Sequence, residues 1–366
     1  MQNKVFFSLS SNIYPFKTGG MEIFNYYLIK ELMAKGVDVH YSAIVPLNFD
    51  GPKYHHTRHL RPEKLFYPLQ DFLIILFNRD IKNFVISYSE AHWLVWKLYT
   101  IITKISHINV TIVIHHGKSA PTDHYSLYKN FFSSAKHVVA VSSDIKSNYD
   151  KAFGIDCKVV YPILPFKKSE ENICTIKERY SIPVDCHVIS MVGTIKQMKN
   201  PDTLIKALGY LGEKYLQEHK LHAVFAGGGA MISELKMLSQ KLSVSSFVHF
   251  LGRLPQENIC EIMKMSDIFL IASDFEGTSI SLLEAMYNSV PIIISRAPGL
   301  ITMLNEETEA LAFQTRNEIE LADCIVTYMN ESTSVNTRAN AAHQKYLKYY
   351  NYDNVVKEYC KMFGYE

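Results

Sequence analysis

SDIFLIASDFEGTSISLLEAMYNSVPIIIS, residues 266–295, is the stretch on which the fold turns. Ile268–Ala272 is a short apolar run without alternation, as in a strand covered on both faces. A loop, Asp-Phe-Glu-Gly-Thr-Ser, follows it. Ile280, Leu283 and Tyr287 then recur at helical spacing, and Pro291–Ile294 reads as a second strand. Strand, loop, helix, strand implies parallel strands with a covering helix. Ligands of open α/β sheets bind beyond the carboxyl ends of the strands, and Glu276 sits at such an end. Gly277 permits close approach of backbone to a ligand. The N–H groups of Thr278 and Ser279 open the helix and can face a phosphate. Glu284 lies eight residues beyond Glu276, inside the helix. Carboxylates accept hydrogen bonds from vicinal hydroxyls, such as those of a hexose or a ribose. On local evidence alone, two solvated acids fit the same spacing.

Working outward, the alternation repeats along the chain. Strand-like runs fall at Val5–Leu9, Val37–Val45, Phe84–Tyr88, Val110–Ile114 and Val138–Val141. A second series falls at Val188–Val192, Ala223–Ala226, Phe247–Leu251, Ile268–Ala272 and Pro291–Ile294. Helical spacing links Phe24, Tyr27, Leu28 and Leu32, then Leu204, Ala207, Leu208 and Leu211, then Met231, Leu235, Leu238 and Leu242. The prolines and charges of 161–171 mark a linker between the series. The expected fold class is therefore α/β, with two doubly wound domains at 1–164 and 165–346. After about Tyr346, Val355, Val356, Tyr359 and Met362 recur at near-helical spacing.

Other strand ends add candidates. Gly193 follows a strand and leads to Lys199, a point charge suited to a diphosphate. Asn200 is an expected N-cap and Pro201 suits the first helical position. Phe225–Gly229 ends a strand in three glycines. Arg253 and Leu254 follow another strand, and a surface arginine with a core leucine reads equally well there. Gly19 and Gly20 lie between the first strand and first helix, where a tight turn is the plain alternative. His115 and His116 end the strand Val110–Ile114; no acid or cysteine adjoins them, so a metal site is not indicated. Residues 53–64, KYHHTRHLRPEK, read as a basic solvated loop or as a loop drawn to anionic headgroups.

The chain has 366 residues, 48% hydrophobic and 20% charged, with net charge +2. That length suggests two domains at roughly 100–200 residues each. The small net charge argues against a dedicated nucleic-acid binder. Residues 1–165 hold 18 Lys and Arg against 12 Asp and Glu, and the remainder hold 20 against 24, so the first half is the basic one. The six cysteines form no CxxC pair and read as reduced thiols. The N-terminal residues lack the pattern of a signal peptide, and no apolar run reaches the ~20 residues that cross a bilayer. A cytoplasmic protein is expected, with any membrane contact peripheral.

The spacing of Glu276 and Glu284 in this setting resembles the Glu-x7-Glu signature of retaining GT-B glycosyltransferases of family four. The resemblance covers nearly the whole chain and is strongest from Gly193 to Ser295. It implies two Rossmann-like domains facing each other across a cleft, with the last helix, within about 347–366, crossing back to the first. It implies that Glu276 contacts the donor sugar and Glu284 the nucleotide ribose. Amides at Gly277–Ser279 would lie near the sugar and diphosphate, and Arg253 and Leu254 beside the base. Gly193 and Lys199 match the element that neutralises the leaving diphosphate, but Thr194 stands where the family often has arginine. Lys196 or Arg253 could replace that charge. Gly19-Gly20-Met21-Glu22 matches the family's entry turn. His116, with His115 as fallback, matches a histidine that hydrogen-bonds the sugar. Ser289 replaces a common glycine, and 296–300 lacks the family's acid. The resemblance implies transfer of a hexosyl group from a nucleotide sugar, uridine-linked, to a glycan or lipid-linked glycan, as in bacterial surface polysaccharide assembly. It implies no metal or other cofactor. A sugar-nucleotide epimerase and a catalytically silent glycan-binding subunit are the rival readings, and Thr194 favours the second.

Overall fold

The computed structural model describes residues 4–9, 20–47, 50–56, 63–88, 93–105, 108–115, 120–161 and 165–365. The chain divides into two compact units, Met1–Pro165 with Asn351–Glu366, and Phe166–Tyr350.

The first unit carries strands β1 (Lys4–Ser8), β2 (Val39–Ala43), β3 (Lys53–His56), β4 (Ile81–Tyr88), β5 (Asn109–Ile114), β6 (His137–Ala140) and β7 (Lys158–Val159). They form one sheet in the order β3-β2-β1-β4-β5-β6-β7, with every pairing parallel. Helices α1 (Gly20–Ala34), α2 (Glu63–Phe77), α3 (Trp93–Ile105), α4 (Tyr125–Ser133) and α5 (Ser143–Phe153) connect them. Parallel strands need such crossovers, and the helices bury both sheet faces. The core is aromatic: the Phe6 and Phe84 rings stack at 5.3 Å, and Tyr88 sits against Trp96 and Phe132.

One polar knot lies inside this core. The buried carboxylate of Asp71, on α2, accepts from Ser8 Oγ at 2.5 Å, Ser42 Oγ at 2.7 Å and Tyr99 Oη at 2.7 Å. Burial raises its pKa to about 6 against the pull of those three donors. The knot ties α2 to β1, β2 and α3.

The second unit runs α6 (Ile173–Arg179), β8 (His187–Val192), α7 (Pro201–Glu218), β9 (Leu221–Ala226), α8 (Ile232–Lys241), β10 (Val248–Gly252), α9 (Ile259–Met265), β11 (Ile268–Ile271), α10 (Ile280–Tyr287), β12 (Ile292–Ser295), α11 (Leu300–Met303), β13 (Leu311–Phe313), α12 (Glu318–Asn330) and α13 (Ser332–Tyr349). Its sheet order is β10-β9-β8-β11-β12-β13, again all parallel. This is the 3-2-1-4-5-6 order of the dinucleotide-binding fold, which reverses direction between its first and fourth strands. Here those strands are β8 and β11.

The final helix, α14 (Tyr352–Phe363), belongs to the first unit. Asn351 caps it by accepting from the Asp353 N–H, and left-handed Gly364 ends it. Val355, Val356, Tyr359, Cys360, Met362 and Phe363 are buried in the first unit's core. Asn83 Nδ2 donates to the Phe363 carbonyl at 3.1 Å.

Several expectations change on this fold. Lys53–His56 is an edge strand rather than loop, because its backbone completes the sheet beside β2. Residues 57–62 of that basic segment lie outside the described residues. The strands β7 and β13, of two and three residues, escaped the sequence reading because too few residues carry the pattern. Asn200 precedes Pro201 as expected, yet its side chain makes no cap; it turns instead to the β11 loop.

Candidate active site in the second unit

Five loops leave the carboxyl ends of β8 to β12, and four candidate segments lie on them. Gly193 and Gly227 have φ of 138° and 159°. A Cβ on Gly227 would collide with the Gly193 carbonyl, and one on Gly229 with the Ile195 carbonyl. Two backbone hydrogen bonds, Gly193 N–H to Ala226 O at 3.0 Å and Ile195 N–H to Gly228 O at 2.9 Å, close the seam. The three glycines therefore serve loop-to-loop contact, and the Arg253 side chain lies across Gly228. Arg253 and Thr194 are both exposed at this corner, while Leu254 packs half-buried on the core beneath.

The β11 loop crosses to meet the β8 loop at the switch point. Asp274 N–H donates to the Met198 carbonyl at 2.9 Å. Asn200, buried and left-handed at φ 45°, donates from Nδ2 to the Ala272 carbonyl at 3.0 Å and to Asp274 Oδ1 at 2.7 Å. Arg316, from the loop before α12, grips Asp274 through Nε at 3.0 Å and Nη2 at 2.6 Å. The clamp brings the residues on either side into register. Lys199 Nζ ion-pairs with Glu276, and Ser273 Oγ donates to the same Glu276 oxygen at 2.6 Å. Glu276 is also tied by its backbone, its N–H donating to the Pro298 carbonyl at 3.1 Å. Gly299, at φ 89°, lies so close that a Cβ would strike the Glu276 carbonyl. The segment 296–300 thus supplies a backbone brace where the family pattern suggested an acid.

Glu284 is reached through α10. Thr278 and Ser279 precede the helix rather than beginning it; Ser279 is its N-cap, accepting from the Leu282 N–H. Leu282, Leu283, Glu284, Ala285 and Met286 are all buried, a full turn covered on every side, whereas Ile280 and Tyr287 are half-buried. The expected stripe is only part of what is covered, because α13 closes over the helix: His343 Nδ1 meets the Met286 carbonyl at 3.0 Å, and Tyr287 packs with Phe166 and Tyr346. Glu284 is therefore an acid 3% exposed inside a covered apolar turn. Among the described residues its carboxyl group has Gln256 as hydrogen-bonding neighbour, with Nε2 3.3 and 3.4 Å from the two carboxyl oxygens. Burial raises its pKa to about 8, and the Gln256 contact only partly offsets this.

The structure thus gathers Gly193, Thr194, Lys199, Arg253, Glu276, Gly277, Thr278, Ser279 and Glu284 on loops and a helix start of one sheet end. Gly20 begins α1 in the other unit, and Gly19 and His116 lie outside the described residues. His115 is half-buried, its ring against that of Phe24 at 5.1 Å. Its Nε2 finds no hydrogen-bond partner, and burial lowers its pKa to about 3. Sequence reasoning missed Ser273, Asp274, Gln256, Gly299 and Arg316. The first two stand inside the quoted motif and could have been weighed as polar residues at a strand end. Arg316 could not, since only the sheet order brings its loop beside the β11 loop.

Residues 173–348 match the family model described as glycosyl transferases group 1. The chain is 26% identical over 243 residues to the uncharacterized glycosyltransferase MJ1607 of Methanocaldococcus jannaschii, a match covering 64% of this chain and 61% of that one. It spans roughly a third to three-fifths of the curated relatives it matches. Both halves follow the GT-B architecture. HepE of Anabaena, solved with UDP, superposes with a TM-score of 0.80 at 15% identity over 99% of each chain. WaaG, a glycosyltransferase involved in lipopolysaccharide biosynthesis, superposes with a TM-score of 0.74 at 16% identity over 98% of this chain and 99% of that one.

Proposed function

We propose that this chain is a retaining glycosyltransferase that moves a hexosyl group from a UDP-sugar to a glycan or lipid-linked glycan in bacterial surface polysaccharide assembly. The observation that carries the reading is the Lys199–Glu276 pair at the switch point, with Glu284 buried one helix further on. The match of residues 173–348 to the group 1 glycosyl transferase model and a UDP-bound structural neighbour support it. WaaG's part in lipopolysaccharide biosynthesis supports the surface-glycan acceptor.

In this reading Glu276 accepts hydrogen bonds from the sugar hydroxyls and Glu284 from the ribose. Lys199 leaves Glu276 for the diphosphate. As the bond between the anomeric carbon and the diphosphate oxygen breaks, charge develops on that oxygen, and Lys199 with the amides of Gly277–Ser279 stabilises it. The acceptor hydroxyl bonds to the anomeric carbon on the same face, and its proton passes to the departing phosphate oxygen. Lys199 supplies the charge a metal ion would, so no metal or other cofactor is required. In this reading Arg253, whose side chain lies over Gly228, supplies the charge missing at Thr194, and Leu254 flanks the base. Work on a lipid-linked acceptor would take place at the cytoplasmic face of the membrane, by peripheral contact; among the described residues no helix is long and apolar enough to cross it.

Incubation with a panel of nucleotide sugars tests the proposal. The expected result is slow donor hydrolysis, or nucleotide release that depends on acceptor. A changed sugar still joined to its nucleotide would establish an epimerase instead. Neither product from any donor would leave a silent subunit, the reading that Thr194 favours.

A further inference from the structure

Helix α2 is built inside out. Its polar anchor, Asp71, points inward to Ser8, Ser42 and Tyr99. At about 100° per residue, Leu69, Leu73, Leu76 and Phe77 fall within an arc of roughly 100° on the opposite side of the helix. All four are solvent-exposed, the leucines between 43% and 52% and Phe77 at 80%. A surface helix ordinarily shows polar residues there, and a helix apolar all round is ordinarily buried. Contiguous exposed apolar patches mark interaction sites.

The charge around the patch says what covers it. Helix α3 packs beside α2 and is joined to it through the Tyr99–Asp71 bond. Its exposed stripe is Lys97, Ile101 and Lys104, at i, i+4 and i+7. Arg79 and Lys82, both exposed, follow the end of α2. Among the described side chains from Tyr67 to Lys104, the acids are Asp71, which is buried, and Asp80, which is ion-paired with Lys4. A leucine and phenylalanine face flanked by lysine and arginine and almost free of acids is the pattern of a helix that lies in a membrane interface. Anionic headgroups supply the complementary charge.

We propose that the outer faces of α2 and α3 dock the first unit on an anionic lipid bilayer, with Leu69, Leu73, Leu76 and Phe77 entering the headgroup layer. Lys97 and Lys104 contact the lipid phosphates. The proposal deepens the lipid-linked reading of the acceptor by naming the surface, and the binding itself does not require turnover. Like other interfacial contacts, it weakens as salt rises.

Vesicle flotation of the full chain tests it. With phosphatidylcholine vesicles containing phosphatidylglycerol, the protein is expected to float, and with phosphatidylcholine alone at least about tenfold less. L73E/L76E/F77E, which changes only exposed positions, is expected to abolish flotation while leaving UDP binding by calorimetry intact. K97E/K104E is expected to remove the preference for anionic vesicles. A parent protein that does not float, or a triple variant that floats as well as the parent, overturns the proposal. So does a parent dimer that the triple variant converts to monomer, since a second copy would then be what covers the face. A failure to bind UDP in parent and variants alike, with flotation retained, would count against the transferase reading and not against this surface.

Discussion

Glu284 is an acid buried with an amide for company rather than a cation. Its pKa of about 8 in the folded chain stands above the ordinary 4.5. Between those values the unfolded chain has released the proton and the folded chain still holds it. Stability therefore falls as pH rises from about 4.5 to 8, by an amount on the order of several kcal/mol. Glu284→Gln should flatten that slope and make the ligand-free protein more stable than the parent at pH 8, while weakening UDP binding. Thermal melts across pH with and without UDP check both halves, and a variant less stable than the parent at every pH would contradict the first. Glu276 and Lys199 form the opposite kind of pair, an acid with its cation, and both would leave each other for the donor. Glu276→Ala and Lys199→Ala should each lower turnover by ~10²-fold or more. Near-parental rates in both would refute the assignment.

At the scale of elements, the site depends on loops held by glycine and by one clamp. Gly299→Ala adds a methyl where the Glu276 carbonyl already sits, at a φ that favours glycine. It should displace Glu276 and lower turnover at least about tenfold, with a small loss of melting temperature; misplacing a reacting group by about an ångström is enough for such a loss. Unchanged turnover in a folded variant would show that the brace does not position Glu276. The motif from 266 to 295 was legible because strand, loop and helix are each written in consecutive residues. The burial of α10 on every side was not, since α13, about 60 residues away in the chain, covers it. The clamp on Asp274 was equally illegible, because Arg316 is distant in sequence and meets it only through the folded sheet.

At the scale of the molecule, the first unit is completed by the last residues of the chain. Six side chains of α14 are buried in its core. At about 1.5–3 kcal/mol for each large apolar side chain, their burial is comparable with the 5–15 kcal/mol that holds a whole domain folded. Truncation before Asn351 should abolish the first unit's cooperative unfolding in calorimetry and leave that of Phe166–Tyr350. Retention of both transitions would show that α14 is dispensable.

Local order was written in the sequence itself: the alternation of strand and helix, the doubly wound class, and the acids, lysine and glycines at strand ends. Each of these is a property of neighbours in the chain, where periodicity and turn chemistry act. Tertiary structure alone decided that Lys199 finds Glu276, that Glu284 lies desolvated beside Gln256, that Arg316 clamps Asp274, and that α2 turns its leucines outward. Those are relations between residues far apart in sequence, and they exist only once parallel strands have closed into sheets.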